Sequence, residues 1–274
     1  MKRIERVFAR ARAEKRKVLV VYLAALDPDF ETSRRLMLAA AAAGADIIEI
    51  GMPWSDPSAD GPAIQAAMRR ALAAGGGLSR ALDLCRAVRS ENQDVGLILF
   101  GYANPIIVTG PEAFARRARD AGADAVLCVD WPPDEAGGLL SALAAADLGY
   151  IPLLAPTSTP DRIAIAGAAA HGFLYYVSMT GITGVKISDL DGPRRHVSEI
   201  RAATGGRHPI VVGFGITNAR DARTIGAFAD GVVVGSAAVR LVEQAISAGR
   251  DPVVELEALV RDLAGALTTP GRTG

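Results

Sequence analysis

The stretch Ala43-Gly44-Ala45-Asp46-Ile47-Ile48-Glu49-Ile50-Gly51 carries an alanine-rich helical segment through a glycine turn into a short apolar run. The pattern recurs. Ala121-Gly122-Ala123-Asp124 leads into a second such run and Phe228-Ala229-Asp230-Gly231 into a third. Gly44 and Gly122 stand where a helix C-terminus favours glycine before the chain turns into a strand. Outward from this stretch, short β-branched or leucine-rich runs alternate with longer Ala- and Arg-rich segments of helical period, the signature of βα units around a parallel sheet. Eight strands are expected, at 18–24, 46–50, 95–101, 125–129, 150–154, 173–178, 209–213 and 231–234. Each is continuously apolar rather than alternating, as strands covered on both faces are.

The 274 residues suit one closed barrel, which takes about 250. The expectation is α/β: a single (β/α)8 TIM barrel spanning 1–274, with an additional N-terminal helix. An open doubly wound sheet is disfavoured, because no Gly-x-Gly-x-x-Gly follows the first strand. Residues 1–17 are charged throughout and read as an amphipathic cap on the barrel bottom, not a signal peptide. No apolar run approaches the ~18 residues of a membrane span. With 30 basic and 30 acidic residues there is no electrostatic footprint for nucleic acid or an anionic membrane. Cys85 and Cys128 form neither a metal motif nor a disulfide framework, which fits a reducing cytoplasm.

Barrel enzymes place their chemistry at the C-terminal ends of strands and in the loops that follow. Glu49 is a carboxylate at such an end, among apolar neighbours, where burial raises its pKa and suits it to proton transfer near neutral pH. A Glu whose head group reaches solvent or a structural Arg is the competing reading. In the following loop, Asp60 precedes Gly61-Pro62 and is open to a helix-capping role; Asp56 precedes Pro57 and is open to a turn role. Gly213-Phe214-Gly215 after the seventh strand and Gly235-Ser236-Ala237 after the eighth occupy the two places where barrels cradle phosphate on backbone N–H groups. The segment 178–186 after the sixth strand reads as a lid or as an ordinary surface loop.

The run Glu49-Ile50-Gly51-Met52-Pro53-Trp54-Ser55-Asp56-Pro57-Ser58-Ala59-Asp60-Gly61-Pro62 closely resembles the signature segment of the tryptophan synthase α subunit family. Tyr102-Ala103-Asn104-Pro105, Leu153-Leu154-Ala155-Pro156-Thr157 and the Thr183-Gly184 step extend the resemblance over nearly the whole chain. It implies a lyase that splits indole-3-glycerol phosphate by retro-aldol cleavage into indole and glyceraldehyde 3-phosphate, in tryptophan biosynthesis. Glu49 and Asp60 fall on the family's catalytic pair. Tyr22, Phe100, Tyr102, Tyr175, Thr183, Gly184, Gly213, Phe214, Gly215, Gly235 and Ser236 fall on substrate-contacting positions. The implied partner is a tryptophan synthase β subunit in an α2β2 heterotetramer, met by the loop near Asp56 and the segment around 104–107.

This chain departs from the family at Leu26, usually Gly, at Val21, often Pro, and at Trp54, usually a smaller aromatic. Glu49 is expected to act as base toward the glycerol hydroxyl and to shuttle a proton to the indole ring, with Asp60 accepting the indole N–H. No cofactor and no metal are expected. Lys186 is the only lysine after Lys17 and lies in the lid segment, while His171, His196 and His208 lack a ligand spacing. The alternatives are a stand-alone lyase releasing free indole, a sugar-phosphate isomerase on the same barrel, and a non-catalytic activator of a β subunit.

Overall fold

Alternate residues of each strand enter two different cores, which is why the strand runs are apolar throughout. The computed structural model describes residues 2–177, 190–213 and 215–268. In β1 (Val18–Ala24) every residue is buried; Leu19, Val21 and Leu23 face the layer shared with the helices, while Val18, Val20, Tyr22 and Ala24 face the barrel interior. The other strand segments are β2 (Ile47–Gly51), β3 (Gly96–Gly101), β4 (Ala125–Cys128), β5 (Gly149–Tyr150), β6 (Leu153–Leu154), β7 (Leu174–Val177), β8 (Ile210–Gly213) and β9 (Gly231–Val234). Among the described residues the helices are α1 (Lys2–Ala13), α2 (Phe30–Ala42), α3 (Pro62–Ala73), α4 (Leu78–Glu91), α5 (Ala103–Thr109), α6 (Pro111–Asp120), α7 (Gly137–Ala145), α8 (Pro160–Ala169), α9 (Asp191–Ala203), α10 (Ala219–Gly226), α11 (Ser236–Ser247) and α12 (Pro252–Ala266).

All strand pairings are parallel, in the order β5-β4-β3-β2-β1-β9-β8-β7-β6. The expected fifth strand, 150–154, is therefore two pieces. Pro152 has no N–H to give to a ladder, and the strand breaks there. The ring still closes across the break: the Ile151 N–H donates to the Val126 carbonyl at 3.0 Å, and the Pro152 carbonyl accepts from the Tyr175 N–H at 3.1 Å. The result is the expected eight-fold βα barrel. Of the other strand ends six shift by one residue and seven coincide with the expectation, and Ser178 lies outside the described residues.

The recurring Asp has a structural cause. Asp46, just before β2, accepts the Leu19 N–H of β1 at 3.0 Å and both terminal nitrogens of Arg16 at 2.7 and 2.9 Å. Asp124 does the same before β4, accepting the Leu97 N–H of β3 and an Arg89 nitrogen, each at 2.8 Å. Asp230 accepts the Ile210 N–H of β8 at 2.9 Å and an Arg201 nitrogen at 2.8 Å. Each carboxylate ties the start of its strand to a neighbouring strand at the barrel bottom. The Asp46 backbone bonds to both neighbouring strands as well, its N–H donating to the Leu19 carbonyl at 2.9 Å and its carbonyl accepting the Gly96 N–H at 3.0 Å, and β2 begins one residue later than expected, at Ile47.

Helix α1 closes the same end. Ile4, Val7, Phe8 and Ala11 recur at helical spacing and are buried in the interior core, with the Phe8 and Phe173 rings 5.7 Å apart. Arg3 pairs with Asp124 and Arg10 with Asp46, so the charged face of the cap is bound to the strand ties. A hollow of about 430 Å³ lies here among Arg10, Arg16, Asp46 and Arg261. Each of these guanidinium groups already faces a carboxylate, which makes this end structural.

Candidate functional site

Parity along β2 puts Ile47, Glu49 and Gly51 on the inner face of the barrel, and Glu49 sits in register with Tyr22 of β1 and Ile98 of β3. Glu49 is 0 % exposed, and among the described residues neither carboxylate oxygen has a hydrogen-bond partner. The structural-arginine and solvent-reaching readings of this residue are thereby excluded. Burial in the absence of any compensating charge raises its pKa to about 8, so its proton stays on at neutral pH.

The loop after β2 leads into α3, whose first residue is Pro62 and whose cap is Gly61, with no side-chain cap. Asp60 is thus free of the capping role that its sequence allowed. Its carboxylate instead accepts the Tyr102 O–H at 2.9 Å, and the same Tyr102 oxygen accepts the Ala59 N–H at 3.1 Å. Burial raises the Asp60 pKa to about 6 and the Tyr102 hydrogen bond holds it from rising further. Near pH 7 the two acids therefore differ: Asp60 is ionised and Glu49 is neutral. Asp56 is exposed, its carbonyl accepting the Ser58 N–H within a turn.

Tyr22, Phe100 and Tyr175 line the interior beside the acids; the Tyr22 and Phe100 rings meet edge to face at 5.1 Å. Burial raises the pKa of the Tyr175 phenol, and Glu49 and Asp60 add to that rise. Its hydroxyl lies over Gly213, where an added Cβ would come within 2.7 Å of it. The inner wall is completed by Leu127, Val129, Leu153 and Val177, which the sequence reading did not single out. Inner-face parity counted along each strand was the signal available for them. Tyr102 stands one residue past β3, at the start of α5.

At the ends of β8 and β9 stand the expected glycines. Gly215 has φ +58°, and Gly235 caps α11, which begins at Ser236 without any side-chain cap. Gly235 has no side chain with which to cap the first N–H groups of that helix. Helix α10 differs, since the Asn218 side chain already accepts the Asp221 N–H at its start. Phe214, Thr183 and Gly184, with the rest of the expected lid at 178–186, lie outside the described residues. A three-way tie also escaped the sequence reading. Arg70 of α3 donates to both Asp27 oxygens at 2.8 and 2.9 Å and to Glu243 of α11 at 2.6 Å. It holds together the β1 exit, the helix after Asp60 and the helix that starts at Ser236. Leu26, beside Asp27, is buried in the left-handed region at φ +65°. That backbone explains why glycine is the usual residue there in the resembled family. Among the described residues no three His, Cys, Asp or Glu side chains gather as a metal set would.

The family model described as tryptophan synthase alpha chain matches residues 8–268. The alpha chain of Azoarcus sp. is 48 % identical over 244 residues, 89 % of each chain, and that of Burkholderia thailandensis 45 % identical over 267 residues, 97 % of each. Among solved structures, the tryptophan synthase subunit alpha of Legionella pneumophila superposes with a TM-score of 0.90 at 36 % identity, over 97 % of this chain and 98 % of that one. Coverage this complete on both sides, at identities well above those at which a fold alone is shared, makes the chain a member of the tryptophan synthase alpha chain family.

Proposed function

We propose that this chain cleaves indole-3-glycerol phosphate to indole and glyceraldehyde 3-phosphate, as the alpha chain of tryptophan synthase, with Glu49 and Asp60 as its catalytic residues. The observation that carries the assignment is the contrast between the two acids, one buried without a partner among the described residues and the other held by Tyr102. A carbon–carbon bond to indole breaks when the ring carbon is first protonated, because the resulting cation accepts the bonding electrons. Neutral Glu49 gives that proton. As carboxylate it then takes the proton of the glycerol hydroxyl, which becomes the aldehyde oxygen as the bond opens, and Glu49 ends the cycle neutral. Ionised Asp60 accepts the indole N–H and stabilises the positive charge on the ring. Tyr22, Phe100, Tyr102 and Tyr175 flank the ring and the acids, while Gly213, Gly215, Gly235 and Ser236, together with Phe214, Thr183 and Gly184, hold the phosphate. No cofactor enters this scheme.

The partner in this reading is a β subunit, in an α2β2 heterotetramer. Its docking face carries Asp56 and the 104–107 segment, and it is supported by the exposure of Ile107 (56 %) and Val108 (80 %) on α5. A reducing cytoplasmic setting belongs to the same proposal and is supported by Cys85 and Cys128 being free, buried thiols. Indole release from indole-3-glycerol phosphate by the purified chain, alone and with β subunit, tests the reading. Slow release that rises sharply with β is expected. Fast release by the chain alone points to a stand-alone lyase, and none in either case points to a non-catalytic subunit or an isomerase.

The pH dependence follows from the two acids. Asp60 must be ionised, so kcat/KM falls as pH drops below about 6. Glu49 must start protonated, so kcat/KM falls as pH rises above about 8. A bell with tenfold loss per pH unit outside these limits is expected, and Asp60→Asn should abolish its acid limb. A profile that keeps rising beyond pH 9 would contradict the acid role of Glu49.

A further inference from the structure

Tyr22 is buried on the inner face of β1, and its hydroxyl has no hydrogen-bond partner among the described residues. Two other buried phenols, those of Tyr102 and Tyr150, differ in this. The Tyr102 hydroxyl is shared between Asp60 and the Ala59 N–H, and the Tyr150 hydroxyl donates to the Trp131 carbonyl at 2.8 Å. An unpartnered buried hydroxyl is costly, and folded proteins leave few. The neighbourhood supplies the reason. The Tyr22 Cβ lies 3.5 Å from where a Cβ on Gly235 would stand, and its ring meets the edge of Phe100. Its hydroxyl lies over Gly51, so close that an added Cβ there would come within 2.3 Å. The ring thus runs from the phosphate-side loop to the acid pair and ends two residues further along β2 than Glu49, toward the barrel mouth. Glu49, in register with Tyr22 on the neighbouring strand, carries two oxygens that are likewise buried and without partners among the described residues.

We infer that the Tyr22 hydroxyl recognises the substrate hydroxyl that gives its proton to Glu49, donating a hydrogen bond to that oxygen while the oxygen donates to Glu49. A hydroxyl is the ligand group suited to both duties, since it donates to a carboxylate and accepts from a phenol at once. The inference rests on the substrate reading given above. Burial and the nearby acids hold the phenol well above its ordinary pKa, so it remains a donor throughout the working pH range. As the substrate oxygen loses its proton it gains negative charge, and a hydrogen bond donated to it strengthens. The contribution therefore falls on kcat more than on KM.

The test is Tyr22→Phe in the full chain assembled with β subunit, which removes one oxygen atom and keeps the ring. Two probes are compared: turnover of indole-3-glycerol phosphate, and binding of the indol-3-ylpropyl phosphate that lacks the chain hydroxyls. The expected result is a fall in kcat of about 10- to 100-fold, somewhat below the loss seen when a full oxyanion donor is removed. KM should stay within about threefold, affinity for the hydroxyl-free analogue within about twofold, and thermal stability unchanged or higher. Unchanged kcat would overturn the inference, and so would equal losses toward substrate and analogue, which would make Tyr22 a packing residue for the ring. Failure of the unaltered chain to release indole with β present would overturn the substrate reading itself, and this inference with it. That outcome is distinguished by being read before the variant is compared.

Discussion

Glu49→Gln is expected to lower indole release by about 10² to 10⁴-fold while leaving affinity for a phosphorylated, hydroxyl-free indole analogue nearly intact, because the amide keeps the shape and loses the proton transfer. The same change should make the protein more stable at neutral pH. The folded-state pKa of Glu49 is raised from 4.5 to about 8 by burial alone. Between these values the unfolded chain has released the proton and the folded chain has kept it, so unfolding is favoured increasingly as pH rises. The burden is absent below the unfolded pKa, grows through neutrality and levels off above about 8. A shift of this size corresponds to roughly 3 kcal/mol at pH 7, an upper figure because water entry and relaxation reduce it. Glutamine carries no such burden. Urea unfolding of both proteins from pH 5 to 8.5 should show curves that diverge as pH rises, the variant above. Parallel curves would mean that the Glu49 carboxylate finds a partner on ionising, and near-normal turnover would sink its assignment as the proton carrier.

The sequence disclosed most where one residue type answered to one physical demand. An unbroken apolar strand with a single acid, Asp46-Ile47-Ile48-Glu49-Ile50, marked both the buried sheet and the one group that does not belong in it. The glycines expected at the ends of two late strands stand there, Gly215 with φ +58° after β8 and Gly235 as the cap of α11 after β9. What escaped was set by tertiary partners. Asp60 and a helix cap have the same sequence signature, and only the Tyr102 hydroxyl, 42 positions away, separates them. Arg70 was one arginine among many until Asp27 and Glu243 converged on it from two other elements. The break at Pro152 could be placed by the rule that proline cannot donate to a ladder, yet the run 150–154 was read as unbroken because hydrophobicity outweighed that rule. The repeated Asp before a strand was noticed as a pattern, while its purpose needed the neighbouring strand's N–H to be in view.

That repeat allows one motif to be weighed at different depths, and the expected result is that Asp124→Ala destabilises the barrel far more than Asp230→Ala. Asp124 and Arg89 form a buried pair, with side chains 3 % and 10 % exposed, and Arg89 gives three further hydrogens to the Gly122, Asn92 and Val95 carbonyls. Burial works against the Arg89 charge, and Asp124 is the first group opposing that. Removing the carboxylate strands a buried guanidinium and leaves the Leu97 N–H unpaired, a loss of about 3–5 kcal/mol. Asp230 and Arg201 are 32 % and 40 % exposed, so water takes over much of the lost interaction and the cost should be about 1 kcal/mol. Urea midpoints at unchanged m-value measure both. Equal losses would mean that the strand-to-strand bond to the backbone N–H, common to the two sites, outweighs the ion pair. The double change Asp124→Leu with Arg89→Met should recover much of the loss, since an apolar pair of similar volume removes the stranded charge. Indole release per folded molecule should be unaltered in all of these variants. The ties lie at the N-terminal ends of the strands and the acids at the C-terminal side, so one end of the barrel bears stability while the other is left free to hold a carboxylate that stability alone would not retain.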